Sequence, residues 1–252
     1  MQRRKIALAT TAAIFAAGML ALPAQAETIR IATEGAYPPF NMKNKAGALT
    51  GFDVDIARAL CAQMKAKCTI VAQDWDGIIP GLLAKKYDAI VASMSITEER
   101  KKKVAFTAPY YKNYLRFVTR KGKKLMVDKA GLKGKIVGAQ RQTVSSKHLE
   151  TAYKGVVKIK VYGTQQAAWL DLKAGRTDAV LADIYPGHDW INKNKRFAFV
   201  GKKIDINDQI GIAVRKDNSA LRDKLSAAIK AIRDNGTYAK INAKYFPFDI
   251  YK

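Results

Sequence analysis

The residues able to do chemistry fall in five short stretches: Glu34 to Tyr37, Asp74 to Asp76, Ser93 to Arg100, Gln140 to Ser145, and Asp183. Among what they supply are carboxylates (Glu34, Asp183), hydroxyls (Ser93, Ser95, Thr97, Thr143), a guanidinium (Arg100) and aromatic faces (Tyr37, Trp75). That mixture suits a zwitterion. An α-carboxylate is met by a bidentate Arg fork and by backbone N–H groups at a helix start. An α-ammonium is met by a carboxylate together with a hydroxyl or carbonyl acceptor. The stretch Ser95-Ile96-Thr97-Glu98-Glu99-Arg100 has a helix-start signature with acids in the first turn. Taken singly, each residue also has a plainer role. Arg100 could be a solvated charge beside Lys101 to Lys103, Ser95 or Thr97 an N-cap, and Trp75 a core residue. No nucleophile–base pair stands out, and His148 and His188 have no partner motif.

What these stretches share is position: each follows an apolar run that reads as a strand. Thr28 to Ala32 alternates and then meets Glu34-Gly35-Ala36-Tyr37-Pro38-Pro39-Phe40, where Gly and Pro enforce a loop. Phe52 to Met64 reads as a helix with Val54, Ala57, Leu60 and Cys61 on one face. A short strand at Cys68 to Val71, a helix around Ile78 to Leu83 and a buried strand at Asp88 to Ala92 follow. The same grammar returns with strands at Lys135 to Gly138 and Val156 to Val161, a polar loop over Gln140 to Ser146, and a helix over Gln165 to Lys173. Lys86-Tyr87-Asp88-Ala89-Ile90-Val91-Ala92 and Arg176-Thr177-Asp178-Ala179-Val180-Leu181-Ala182 are two copies of one pattern. Strands alternating with helices imply parallel sheets, and two copies imply two α/β lobes, a single doubly wound sheet of about six strands being the alternative. Gln209 to Val214 reads as a further strand. Leu221, Leu225, Ala228, Ile229 and Ile232 make an amphipathic helix that Asn235-Gly236 stops with a left-handed cap, and a short last helix runs through Tyr245. In such sheets ligands bind beyond the carboxyl ends of the strands, where the five stretches fall.

Composition bounds the rest. The 252 residues are 48% apolar and 26% charged, enough for a packed core in one large domain or two lobes. Two Cys and two His are too few for a Cys/His metal cluster, and no cofactor is implied. Arg3, Arg4 and Lys5, an uncharged run from Ile6 to Leu22 and Ala24-Gln25-Ala26 form a secretory signal over residues 1–26, the alternative being a membrane anchor. The whole chain carries +24, and the remainder after export +21. Such an excess favours anionic surfaces. Yet Lys101 to Lys103 and Lys121, Lys123 and Lys124 are scattered over turns and helix ends without interleaved aromatics, which argues against a nucleic-acid module. A solvated basic surface, or docking to the acidic outer face of a permease, accounts for them better. In an exported chain Cys61 and Cys68, an isolated pair, read as a disulfide closing a short loop, worth roughly 2–3 kcal/mol.

Linked motifs then point to a family. Ile31 to Phe40, Gly51-Phe52-Asp53-Val54-Asp55, Trp75-Asp76-Gly77-Ile78-Ile79-Pro80, Asp88-Ala89-Ile90 and Ser95 to Arg100 resemble the periplasmic polar amino-acid-binding proteins of ABC transporters, solute-binding protein family 3. Within it the chain is most similar to the lysine/arginine/ornithine- and histidine-binding branch. The resemblance includes the Cys61/Cys68 spacing and the closing Gly236-Thr237-Tyr238 and Lys244-Tyr245-Phe246. It implies an α/β, type II periplasmic-binding-protein fold: two lobes, each a mostly parallel sheet flanked by helices, hinged by two crossing strands. Lobe 1 would hold 27–111 and 209–252, lobe 2 would hold 115–205, and the hinge 112–114 and 206–208. It further implies a monomer that captures a cationic L-amino acid in the cleft and delivers it to an inner-membrane permease. Arg100, with Ser95 and Thr143, would take the α-carboxylate, and Asp183 with Ser93 the α-ammonium. Tyr37 and Trp75 would sandwich the side-chain stem, Glu34 would meet the distal cation, Gln140 would add a polar contact, and Met94 belongs to the same set.

The chain departs from the branch in three places. Glu34 stands where Asp is usual, Ala92 replaces a hydroxyl residue, and Gln142 occupies a position where glycine is common. An opine-binding branch, whose ligands are arginine conjugates, also has Glu at the first position, which keeps opines as an alternative ligand class. A periplasmic dehydratase resembling cyclohexadienyl dehydratase is the alternative of another class, with Glu34 or Asp183 as general acid.

Overall fold

The computed structural model describes residues 28–251, so the secretory signal expected over 1–26 lies outside the described residues. The first part of the chain forms β1 (Thr28–Thr33), β2 (Ala36–Tyr37), β3 (Asn41–Lys43), β4 (Leu49–Thr50), α1 (Phe52–Gln63), β5 (Lys67–Ala72), α2 (Trp75–Leu83), β6 (Ala89–Ile90), α3 (Glu98–Lys101) and β7 (Ala105–Phe106). Then come β8 (Tyr111–Arg120), β9 (Ile136–Gln140), α4 (Val144–Ala152), β10 (Lys158–Tyr162), α5 (Gln165–Lys173), β11 (Ala179–Asp183), α6 (Ile184–Lys193) and β12 (Phe197–Ile210). The chain closes with β13 (Ala213–Val214), α7 (Ser219–Asp234) and α8 (Thr237–Tyr245).

Two five-stranded sheets result, in the orders β5-β1-β6-β13-β7 and β10-β9-β11-β8-β12, with β2-β3-β4 as a small third sheet. The fold is therefore two α/β lobes rather than one doubly wound sheet. The sheets are mixed rather than mostly parallel: two of the four pairings in each are antiparallel. The cause is the return path of the chain. β8 and β12 carry the backbone to and from the second lobe and run antiparallel to each other, and β13 re-enters the first sheet antiparallel to β6. The parallel cores, β5-β1-β6 and β10-β9-β11, are where the duplicated sequence pattern lies.

The repeated Asp has the same structural task in both copies. The Asp88 N–H donates to the Arg30 carbonyl and its carboxylate accepts from the Arg30 N–H at 3.0 Å. The Asp178 N–H donates to the Ile136 carbonyl and its carboxylate accepts from the Ile136 N–H at 2.8 Å. Each Asp thus pins the start of its strand to the neighbour and fixes the register that sets what emerges at the far end.

Two elements differ from expectation. Gln140 to Ser146 is not a loop throughout. Thr143 caps α4, and Ser145 and Ser146 are buried in its first turn; polar side chains hide the helix, those of Thr143 and Ser146 satisfying backbone groups locally. The strand expected over Gln209 to Val214 breaks after Ile210, where Gly211 lies so close to Ile96 that a Cβ would sit 2.8 Å from its side chain. The closing helix matches its sequence pattern: Leu221, Leu225, Ala228, Ile229 and Ile232 are all buried on α7, and Gly236 has φ +79°. Burial of each large apolar side chain contributes about 1.5–3 kcal/mol, and α7 and α8 spend theirs on α1, completing the first lobe with the chain's last residues. The disulfide Cys61–Cys68 ties α1 to the edge strand β5. Among the described residues no helix is long and apolar enough to cross a membrane.

Candidate functional site

The carboxyl ends of β1, β5 and β6 in one lobe face those of β9 and β11 in the other across a cleft. In it lies a small cavity bordered by Glu34, Tyr37, Trp75, Ser93, Ser95 and Arg100 from the first lobe and by Gln140, Thr143 and Asp183 from the second, with Ala92 and Val144 alongside. Met94 is the one expected residue placed elsewhere. Its side chain is fully buried among Trp75, Leu82, Tyr87 and Ala213, and its carbonyl accepts from the Gly211 N–H.

Glu34 follows β1 directly and is buried, accepting a hydrogen bond from Gln140 Nε2 at 2.7 Å. Burial pushes its pKa up to about 7 against the opposing pull of that amide, and Asp74 and Asp76 add to the rise. Trp75 opens α2, and the Arg100 guanidinium lies over its ring at 5.2 Å, so Trp75 is at once core and cavity wall. Thr97 caps α3 and thereby sets the backbone from which Arg100 extends. Arg100 Nη1 donates to the Ser95 carbonyl at 2.8 Å and Nη2 to the Gln142 carbonyl of the other lobe at 2.9 Å. Two of five guanidinium N–H groups are thus used in orientation, leaving a fork for an anion. Burial lowers the Arg100 pKa, while Asp208 and Asp183 oppose the shift.

Ser93 sits at φ +51° just after β6, and its hydroxyl donates to Asp53 Oδ2 at 2.9 Å. Because the proton is committed inward, the Ser93 oxygen offers only lone pairs to the cavity, as a ligand ammonium requires. Asp53 is fully buried and also accepts from Asn41 and Tyr110, at 2.8 and 2.7 Å. Burial raises its pKa to about 6 despite those three donors. Asp183 ends β11 and accepts from the Tyr37 hydroxyl across the cleft at 2.6 Å. Its pKa is raised to about 7, by burial first and by nearby Asp208 second. Asp208 is raised by burial too, and accepts from Asn113 Nδ2 at 2.8 Å.

Sequence reasoning did not single out Asp53, Asn113 or Asp208. Asp53 sat inside an amphipathic helix among residues read as a family motif. Asn113 and Asp208 meet only through the β8–β12 register, 95 residues apart, for which no local signal exists. Thr143 does what its plainer reading stated, capping α4 by accepting from the Ser146 N–H, and it also lies on the cavity wall beside the helix start. Gln142 has φ +58°, which explains why a glycine would serve at this position. Outside the cavity Arg141 of lobe 2 clasps Asp76 of lobe 1, with Nε 3.0 Å from Oδ2 and Nη2 on the same oxygen. Neither histidine borders the cavity: His188 pairs with Asn192, and His148 packs beside Tyr153.

Two α/β lobes meeting on a small charged cavity define a clamshell binding protein. Residues 29–248 match the family of bacterial extracellular solute-binding proteins, family 3, and the chain belongs to it. It is 44% identical to the L-arginine-binding protein of Pseudomonas aeruginosa over 98% of both chains. It is 37% identical to the lysine/arginine/ornithine-binding periplasmic protein of Escherichia coli over 98% of this chain and 95% of that one. Among solved structures, an ancestral arginine-binding protein bound to arginine superposes with a TM-score of 0.82 at 39% identity, covering 87% of this chain and 98% of that chain.

Proposed function

We propose that this chain is the periplasmic capture component of an ABC importer for a cationic L-amino acid, with arginine the preferred ligand and lysine and ornithine its relatives in charge. One observation carries the reading: Arg100 and Asp183, 83 positions apart and on different lobes, border one cavity with Glu34 beyond them. An amino acid between the lobes meets the Arg100 fork and the α4 start with its carboxylate, and Asp183 and the Ser93 lone pairs with its ammonium. Its stem lies against Tyr37 and Trp75, and Glu34 and Gln140 take the far cation. With Glu34 and Asp183 ionised and Arg100 charged, these three groups sum to one negative charge, which a ligand of net charge +1 neutralises. A neutral amino acid leaves Glu34 buried without a cation, which is costly.

The lobes are taken to bend about 112–114 and 206–208, and the closed form releases its ligand to a membrane permease. The protein works as a monomer, needs no cofactor or metal and does not use nucleic acid. Titration calorimetry with arginine, lysine, ornithine, histidine, glutamine and octopine tests the ligand. Arginine is expected to bind most tightly, one per chain, and to be recovered unchanged. Tighter binding of glutamine would refute the charge argument, and tighter binding of octopine would move the ligand to the opines.

A further inference from the structure

The end of lobe 2 farthest from the cleft is unusually rich in cations. Because β9, β10 and β11 run parallel and deliver Gln140 and Asp183 to the cleft, their starts lie at the opposite pole. β8 ends and β12 begins at that same pole. Segments 120–135, 152–158, 174–178 and 194–197 meet there, and they hold twelve Lys and Arg against two Asp. These 32 residues therefore account for +10 of the +21 left after export. Backbone bonds knit the segments into one surface. The Lys121 N–H donates to the Arg196 carbonyl, the Gly134 N–H to the Val156 carbonyl and the Lys158 N–H to the Lys135 carbonyl. Lys121, Lys124, Lys133, Lys154, Lys158 and Lys195 are exposed, and none of the six has an ion pair among the described residues. In their midst Met126 exposes 66% of its surface, the most of the large exposed apolar residues.

We propose that this pole is a docking surface for an anionic lipid bilayer, holding the protein on the membrane with its cleft turned to solution. Three observations select a lipid surface. Nine of the twelve cations are Lys, mobile point charges suited to a diffuse field of headgroups, whereas discrete phosphates or carboxylates are matched by Arg forks. The patch has no exposed aromatic to stack bases, since its Tyr153 is half-buried and donates to the Val127 carbonyl. An apolar Met126 tip amid cations is the arrangement that enters an interface.

The experiment is flotation of the full chain with phosphatidylcholine vesicles with and without phosphatidylglycerol, at low and at physiological ionic strength. Lys121, Lys124, Lys133 and Lys154 are changed to Gln together. A control of equal charge changes Lys43, Lys45, Lys86 and Lys240 of lobe 1, all exposed, to Gln. Binding is expected only to the phosphatidylglycerol vesicles. It should weaken at least about tenfold in the lobe 2 variant and less than about threefold in the control. Met126→Asn should weaken it about twofold to fivefold. Arginine calorimetry on each variant reports that it is folded, independently of the vesicle result. Equal losses in both variants, binding to phosphatidylcholine alone, or tighter binding to a DNA duplex than to the vesicles at the same salt would overturn the proposal.

Discussion

In the proposed mode of binding, Arg100 and Glu34 divide the recognition between what every amino acid has and what only a cationic one has. Arg100→Ala leaves a ligand carboxylate unpaired in a buried site, a loss of about 3–5 kcal/mol that removes detectable binding of every amino acid. Glu34→Gln keeps the shape and deletes a charge, which costs arginine and lysine about 1.5–3 kcal/mol and leaves neutral amino acids little changed. Calorimetry on both variants checks this; an equal loss for all ligands in Glu34→Gln would contradict the assignment. The same carboxylates make binding pH-dependent. In the closed cleft burial raises Glu34 and Asp183 to about 7, so without a cation beside them both hold protons at and below that pH. A bound cation favours their ionised forms, so ligand entry expels protons and affinity rises as pH climbs through about 6 to about 8. At about pH 6 the measured heat should depend on the ionisation enthalpy of the buffer. Equal affinity across that range with no buffer dependence would refute it.

At the scale of elements, short segments reach across the cleft from rigid ends of strands and helices. The turn between β9 and α4 supplies Arg141 to Asp76 on α2 and the Gln142 carbonyl to Arg100, so one connection latches two points of the opposite lobe. Asp76→Asn breaks the outer latch at a residue that does not border the cavity. The pair is partly exposed, with 50% and 35% of the two side chains open to solvent. A surface pair of this kind is worth about 0.2–1 kcal/mol. Arginine dissociation should therefore quicken up to about fivefold, with association nearly unchanged, in stopped-flow fluorescence. An unaltered off-rate would show that the latch does not hold the lobes together.

For the whole molecule, a ligand held by both lobes in the proposed way would bias it toward the closed arrangement, because only there are all the contacts satisfied. Small-angle scattering should show a larger radius of gyration without ligand than with arginine, and the same radius in both would argue against a hinge. With 1–26 removed as a signal, the remaining +21 would repel a cationic ligand at long range, but screening confines that repulsion to about 8–10 Å, and within the cleft Glu34 and Asp183 dominate. The charge is also unevenly placed, with the cleft acidic and the remote pole of lobe 2 basic, so one molecule presents opposite potentials to a cationic solute and to an anionic surface.

Much of this was written locally in the sequence. The strand-then-polar-residue rhythm, the duplicated Asp-Ala pattern, the α7 stripe and the Gly236 cap each depend on neighbours within a few residues, and periodicity and capping act at that range. So the α/β class, the two lobes and nearly all the residues now lining the cavity could be read from types and spacing. The antiparallel half of each sheet could not, because it depends on where β8 and β12 cross between lobes. Met94 could not either: a place between Ser93 and Ser95 does not say that its side chain turns into the core. Asp53 under Ser93, and Asn113 with Asp208 behind Asp183, are pairings of residues far apart in the chain, and only the packed sheets bring them together. Burial, which turns Glu34 and Asp183 from ordinary carboxylates into groups that titrate near neutrality, is likewise a property of the closed cleft and not of the chain.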